Sequence, residues 1–395
     1  MKITGFETFQ VDGGWESFSF LKMTTDEGLV GWSEYNEARG RKGLTGLILS
    51  LGQSLVGKDP RAVNVLDALL YAQTRSTTGG LQSHASAALI NACLDIKAKA
   101  LGVPVHDLLG GAVRDRIPVY WSHCGLFRAR YAHLFGKVID TPPVRTLDDL
   151  RAAGREVAER GFKALKTNVL IFDNDGARLH GPGTGRGPGH PALNTDVDVI
   201  NAIVMQLEAL RDGAGPQVRL AVDLNFHYKP EGLRQIAKKV EPFDLMWLEM
   251  DLYEPDALSL IRRSTTTPIG SLEAVLGRRA FRNYLDRQAV DVAIIDVQWN
   301  GMPEALRMAS MADAYEVNVA AHNSSGPLST VISGHFCSVV PNLRTMEIDM
   351  DEVPWRPKLL TNPYRVENGE FTLPPGPGWG TDIDEDVARK HAVKA

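Results

Sequence analysis

Six ionisable side chains punctuate the second half of the chain at an almost constant interval. Asp223, Glu249, Glu273, Asp296, His322 and Glu347 follow one another at steps of 23 to 26 residues. Each closes a short apolar run of strand length, as in Met246-Trp-Leu-Glu249 and Gly270-Ser-Leu-Glu273. One step is the length of a β/α unit, and the strand ends of a (β/α) barrel converge on a single face where catalytic residues sit. Carboxylates on neighbouring strand ends raise one another's pKa and need compensation in a dry site. A hard cation supplies it. The oxygen-only set Asp223, Glu249 and Glu273 suits Mg²⁺, with Mn²⁺ as the substitute. Singly, each acid has a plainer reading as a helix N-terminal residue. Three in consecutive units favour a metal site.

His322 and Asp296 close adjacent runs. A carboxylate on one imidazole nitrogen fixes the tautomer and raises the basicity of the other, which makes a general base. Lys166 lies in Phe162-Lys-Ala-Leu-Lys166-Thr-Asn168. Strand alternation puts Lys166 and Asn168 on one face. A buried lysine is uncommon unless paired. Asp223, Asn225 and His227 likewise share a face. Asn225 is a candidate for binding substrate or orienting a ligand. His227 is either an acid or a surface histidine in a loop.

Those residues need a scaffold. Lys2–Val11, Phe18–Thr25 and Leu29–Tyr35 alternate like the strands of an antiparallel meander. Helical patterns follow, among them 60–73, with Asp59 as its cap, and Ser83–Leu101, rich in Ala and stopped by Gly102 and Pro104. From Ile117 the rhythm changes. Strand runs at Val119–Ser122, Ala164–Val169, Arg219–Leu224, Leu245–Glu249, Ile269–Leu272, Val292–Asp296, Val317–Ala321 and Leu343–Glu347 alternate with amphipathic helical stretches. Eight repeats with no Gly-rich dinucleotide turn favour a closed barrel over an open doubly wound sheet. The division is residues 1–116 as an α+β capping domain, 117–355 as the α/β barrel, and 356–395 as a Pro- and Gly-rich segment that returns to the cap. One insertion, 171–194, carries Gly181-Pro-Gly-Thr-Gly-Arg-Gly-Pro-Gly189. A long loop after a barrel strand reads as a lid.

Composition narrows the partners. Of 395 residues, 44% are hydrophobic and 23% charged, and the net charge is −5, so there is no basic face for nucleic acid. No apolar run approaches the roughly 18 residues of a membrane span. Cys93, Cys124 and Cys337 are too few and too scattered for a disulfide framework or zinc site and read as buried hydrophobes. The start shows no signal pattern, and the chain reads as cytoplasmic.

The sequence resembles the mandelate racemase branch of the enolase superfamily over nearly its whole length. Ala88-Leu-Ile-Asn-Ala-Cys-Leu-Asp95-Ile-Lys-Ala-Lys99, Leu101-Gly-Val-Pro104 and Leu108-Leu-Gly-Gly111 look like that family's passage from cap to barrel, and the strand-end residues match in order. The resemblance implies a modified TIM barrel with an N-terminal α+β cap completed by the C-terminal segment. It implies one Mg²⁺ on Asp223, Glu249 and Glu273, and a His322–Asp296 dyad on one face of a carboxylate substrate. It further implies that Glu347 hydrogen-bonds a carboxylate oxygen of the enolate, and that the protein is a homo-oligomer, dimer to octamer. The reaction begins with loss of the proton next to a carboxylate, an acid too weak for an unaided base. The family often has Lys-x-Lys on the second strand, the second lysine acting on the opposite face. Here that position is Asn168, an amide that transfers no proton at neutral pH. This argues against one-to-one racemisation and for dehydration of a sugar acid, an aldonate or aldarate, to a 2-keto-3-deoxy acid, with Lys166 or His227 as a second group. An epimerase or cycloisomerase is the rival on the same scaffold, and a non-catalytic metal-binding barrel the rival from another class. In this family cap loops and insertions set the substrate, which points to Trp15, the 75–84 loop and Arg178, His180 and Arg186.

Overall fold

The computed structural model describes residues 1–38, 40–183, 189–190 and 195–394. The cap opens with β1 (Ile3–Asp12), β2 (Ser17–Thr25) and β3 (Val30–Tyr35), an antiparallel meander as the alternation predicts. Helices α1 (Leu44–Gln53), α2 (Val63–Thr74), α3 (Gly80–Leu101) and α4 (Val105–Leu108) follow. Helix α2 starts later than its sequence pattern suggests. Asp59 caps nothing: it accepts the backbone N–H of Arg61 at 2.9 Å and pairs with its guanidinium.

Helix α3 is rich in Ala because it is buried between the cap sheet and the barrel. Its small side chains let backbones approach. A Cβ on Gly31 of β3 would lie 2.3 Å from the Ala92 carbonyl oxygen. Its few polar residues tie the layers together. Asn91 Oδ1 accepts the Met302 N–H at 2.9 Å, and the buried Asp95 accepts the N–H groups of Trp32 and Trp379 at 2.8 and 3.0 Å.

The barrel strands are β4 (Ile117–Ser122), β5 (Ala164–Asn168), β8 (Arg219–Asp223), β9 (Trp247–Glu249), β10 (Ile269–Ser271), β11 (Val292–Asp296), β12 (Asn318–His322) and β13 (Leu343–Asp349). They run parallel, and pairing of β13 with β4 closes the ring. Helices α5 (Leu126–Arg130) to α13 (Pro327–Val339) fill the crossovers, among them α11 (Val297–Asn300), which follows β11 directly, and α12 (Met302–Ala314). Inward-facing residues include Tyr120, Ala164, Ala221, Met246, Trp247, Val292, Ile294 and Ala320, a packed interior with Trp247 wholly buried. Gly270 is small for a reason: a Cβ there would stand 2.7 Å from Trp247.

Two elements lie outside the sequence expectation. The insertion begins as a hairpin, β6 (Leu170–Asp173) paired with β7 (Gly176–Leu179), rather than as a loop. After the barrel, β14 (Arg365–Glu367) and β15 (Glu370–Thr372) form a hairpin on the N-terminal end of β4, where Phe371 is opposite Ile117. The chain then crosses to the cap: the Trp379 indole donates to the Trp32 carbonyl at 2.8 Å, and α14 (Glu385–Lys390) packs by β1. No helix among the described residues is long and apolar enough to cross a membrane. All three cysteines are buried and unpaired.

Candidate active site

Strand register brings the site together. Asn168 of β5 is level with Asp223 of β8, and Asp223 with Glu249 of β9. On the opposite arc Asp296 of β11 is level with His322 of β12. Alternation then turns these side chains into one barrel mouth, above the Tyr120 and Trp247 rings, which meet edge to face at 5.4 Å. Glu273 differs from its neighbours. It stands two residues past β10, after Leu272 at φ 94°, an outlier for a branched side chain that re-aims the acid into the mouth.

Lys166 occupies the centre. Its Nζ lies 2.7 Å from Glu249 Oε1, 3.1 Å from Glu347 Oε1 and 3.8 Å from Asp223 Oδ2. Burial works against its charge, but Glu249 and Glu347 outweigh it and hold Lys166 protonated, well above the usual lysine range. Glu249 also accepts the Trp247 indole N–H at 2.8 Å. Burial pushes Glu249 and Glu273 upward, as do Asp223 and Glu347, and Glu273 adds to this at Glu249; Lys166 counters it at Glu249 and, after His322, at Glu273.

His322 Nδ1 sits 2.6 Å from Asp296 Oδ2, the spacing of a tautomer-fixing pair. Its Nε2 is 3.4 Å from Glu273 and 3.8 Å from Glu347. Burial disfavours the imidazolium, yet Glu273, Glu347 and Asp296 together raise its pKa to about 10. Asp296 Oδ1 also accepts the Trp299 N–H at 2.6 Å, so the acid is held from two sides. Glu347 accepts from the Ser122 hydroxyl and from the Asn323 N–H at 2.9 Å. Burial favours its neutral form, but Lys166, His322 and His123 prevail and keep it ionised.

Asn168 and Asn225 serve the acid rather than the cavity. Asn168 Nδ2 reaches Asp223 Oδ2 at 3.3 Å, and Asn225 donates its side-chain and backbone N–H to Asp223 at 2.7 and 2.8 Å. Both of these Asn225 donors go to Asp223. The buried Asn168 Oδ1 remains without a partner among the described residues. His227 is buried, with Nδ1 3.0 Å from the Pro182 carbonyl, and burial lowers its pKa. Trp15 stands against Phe127 at 4.7 Å and stacks on Tyr131 at 5.7 Å; it lines a cavity with Asp349 and Arg356. Arg186 lies outside the described residues, as does much of the expected lid.

Several residues escaped the sequence reading. Ser122 and His123 close β4, a strand the periodic spacing did not reach because the crossover to β5 is long. His123 pairs with Asp349 at 2.7 Å and stacks on Phe127 at 4.5 Å, a second imidazole–carboxylate pair beside Glu347. Asp349 is two residues beyond Glu347, so alternation was an available signal. Asp251, two beyond Glu249, was findable the same way. Trp299 packs on His322 at 4.8 Å, and the cap residue Arg41 lies 4.4 Å over that indole; neither had a sequence signal.

The donor set fits a divalent cation. Among the described residues no three His, Cys, Asp or Glu side chains converge on one point in these rotamers. The carboxylates turn instead to Lys166 and His322. Yet Asp223, Glu249, Asp251, Glu273 and Glu347 outnumber those two cations, and the Asp251 Oδ2 is buried without a partner. Hard oxygen donors in excess are the chemistry of a Mg²⁺ site.

Fold and site together define a barrel enzyme with an acidic mouth and a His–Asp pair. The chain belongs to the mandelate racemase/muconate lactonizing enzyme family of the enolase superfamily. The family's N-terminal domain model matches residues 11–110, and the enolase C-terminal domain-like model matches 149–387. The chain is 29% identical to the D-xylonate dehydratase of Haloferax volcanii, over 100% of this chain and 89% of that protein. It is 28% identical to the D-galactonate dehydratase of Variovorax paradoxus, over 98% and 93%. A crystal structure from Burkholderia xenovorans, provisionally named an L-alanine-DL-glutamate epimerase and bound to magnesium and fumarate, superposes with a TM-score of 0.95 at 44% identity, covering 100% and 97% of the two chains.

Proposed function

We propose that this protein is a Mg²⁺-dependent hydro-lyase that removes water from a sugar acid, an aldonate or aldarate, to give a 2-keto-3-deoxy acid. The observation that carries this is the His322–Asp296 pair opposite a second strand with no proton-transferring residue at position 168. Asp223, Glu249 and Glu273 are the residues that would hold the ion. A bound Mg²⁺ supplies positive charge for the substrate carboxylate as its α-proton leaves.

The chain's own groups do the rest. Asp296 holds the Nδ1–H tautomer, which leaves His322 Nε2 to take the α-proton. The C–H electron pair forms the carbon–carbon double bond as the β-hydroxyl departs. His322, now cationic, returns its proton to that hydroxyl, which leaves as water. The enol then tautomerises to the keto acid. Glu273 and Glu347 hold His322 charged here; a cation held by Glu273 would offset that acid's charge and leave Nε2 free for the first step, and Glu347 then supports the imidazolium in the second. Lys166 keeps its charge and acts as an electrostatic anchor rather than a base. The relatives named D-xylonate and D-galactonate dehydratase support the reaction class. We read the enzyme as cytoplasmic and, as the family resemblance implies, as a homo-oligomer.

A second reading, epimerisation, draws on the Burkholderia neighbour's name. It requires a proton relay on the other face, for which His227 is the candidate. A library of mono- and diacid sugars incubated with Mg²⁺ in D₂O separates the two. Semicarbazide-trapped keto acid is the expected product. Deuterium uptake without keto acid would replace dehydration by epimerisation.

A further inference from the structure

We propose that Asp251 is a fourth carboxylate of the cation site, helping to hold a divalent metal ion beside Asp223, Glu249 and Glu273. The inference rests on the Mg²⁺ reading above and adds a residue to it. Strand β9 ends at Glu249, but extended pairing continues. The Met250 N–H donates to the Gly270 carbonyl at 3.2 Å, and the Asp251 N–H to the Asn225 carbonyl at 3.1 Å. Alternation therefore puts Asp251 on the inward face of Trp247 and Glu249, one step nearer the mouth.

Its side chain and backbone are tied to neighbours of Asp223 and Glu273, and the Leu272 N–H also bears on the carboxylate. Ser271, two residues before Glu273, donates its hydroxyl to Asp251 Oδ1 at 3.2 Å. Asn225, which takes the Asp251 N–H, also holds Asp223. The residue is 4% exposed, and its Oδ2 has no hydrogen-bond partner among the described residues. A buried carboxylate oxygen left unpaired is costly. Asp351 shows the contrast: its Oδ2 is also unpartnered, but Oδ1 is 2.8 Å from the Arg128 guanidinium. Among the described residues no cation pairs with Asp251, and its near neighbours Asp223 and Glu273 repel it. An added cation shared with those acids satisfies all of them.

The test uses the full-length protein stripped of metal and Mn²⁺ as the probe, titrated by electron paramagnetic resonance. Asp251→Asn keeps the shape and the Ser271 contact while removing the charge. The expected result is Mn²⁺ affinity about 10- to 100-fold weaker, the loss typical of residues that support a metal's ligands. The rise in melting temperature on adding Mg²⁺ should shrink in parallel. Ser271→Ala, which releases Oδ1 without touching the acid, should weaken Mn²⁺ several-fold and serves if Asp251→Asn does not fold. Affinity within about twofold of wild type in the folded variants would overturn the proposal alone. Wild-type protein that binds no Mn²⁺ would overturn the metal reading and the proposal with it.

Discussion

Lys166 Nζ lies 2.7 Å from Glu249 Oε1 in the centre of the barrel mouth, both side chains almost fully buried. Glu249 and Glu347 hold this lysine protonated here. Lys166 offsets part of the negative charge that Glu249, Glu347 and Asp223 bring to one dry site.

Lys166→Met should therefore act through charge. Removing one member of a buried ion pair costs about 3–5 kcal/mol because its partner is left uncompensated. Urea unfolding of the variant should show a loss of that order, and turnover should fall with it. An unchanged unfolding curve would refute the anchoring role.

His322→Asn should abolish α-proton exchange, a loss of about 10²- to 10⁴-fold. The rate of keto-acid formation, with proton NMR following loss of the substrate's α-proton signal, reads it. Asp296→Asn should fall in the same direction, since an amide no longer holds the tautomer. Exchange at the wild-type rate in the His322 variant would remove the base from the mechanism.

Glu34 links the cap to the barrel and makes stability depend on pH. Its carboxylate accepts the N–H groups of Gly326 and Ser329 at 2.5 and 2.9 Å, at the start of the helix after β12. Burial raises its pKa from 4.5 to about 7 against those hydrogen bonds. A group whose folded pKa is raised stabilises fully below its unfolded pKa and loses that contribution as pH climbs through the folded value. At about 1.4 kcal/mol per unit, the loss between pH 4.5 and 7 is about 3 kcal/mol. Glu34→Gln should flatten that slope relative to wild type in urea melts at pH 5 and 8. Parallel slopes would show that Glu34 does not titrate there.

His227 and His123 are the mouth histidines left without a role once His322 carries both proton transfers. If His227 serves a second face, His227→Asn should lower turnover at least tenfold and leave KM nearly unchanged. If His123 instead meets the substrate, His123→Asn should raise KM more. Steady-state kinetics on the substrate found by the library screen distinguishes them.

Much of this was legible in the sequence. The interval from Asp223 to Glu347 announced both the repeat and the acids, because a β/α unit has a nearly fixed length and strand ends share a face. The meander, a long Ala-rich helix over most of α3 and the eight strands were readable from pattern and composition. Tertiary structure decided the rest. Only the strand register shows that Asn225 and Asn168 hold Asp223, since hydrogen-bond partners depend on distances across strands. Only the packed mouth shows Lys166 between Glu249 and Glu347, a charge balance that spacing does not encode. The His123–Asp349 pair joins the first and last strands, residues 226 apart that barrel closure brings to 2.7 Å. Periodicity along a chain reports which face a residue takes; closure determines what it meets there.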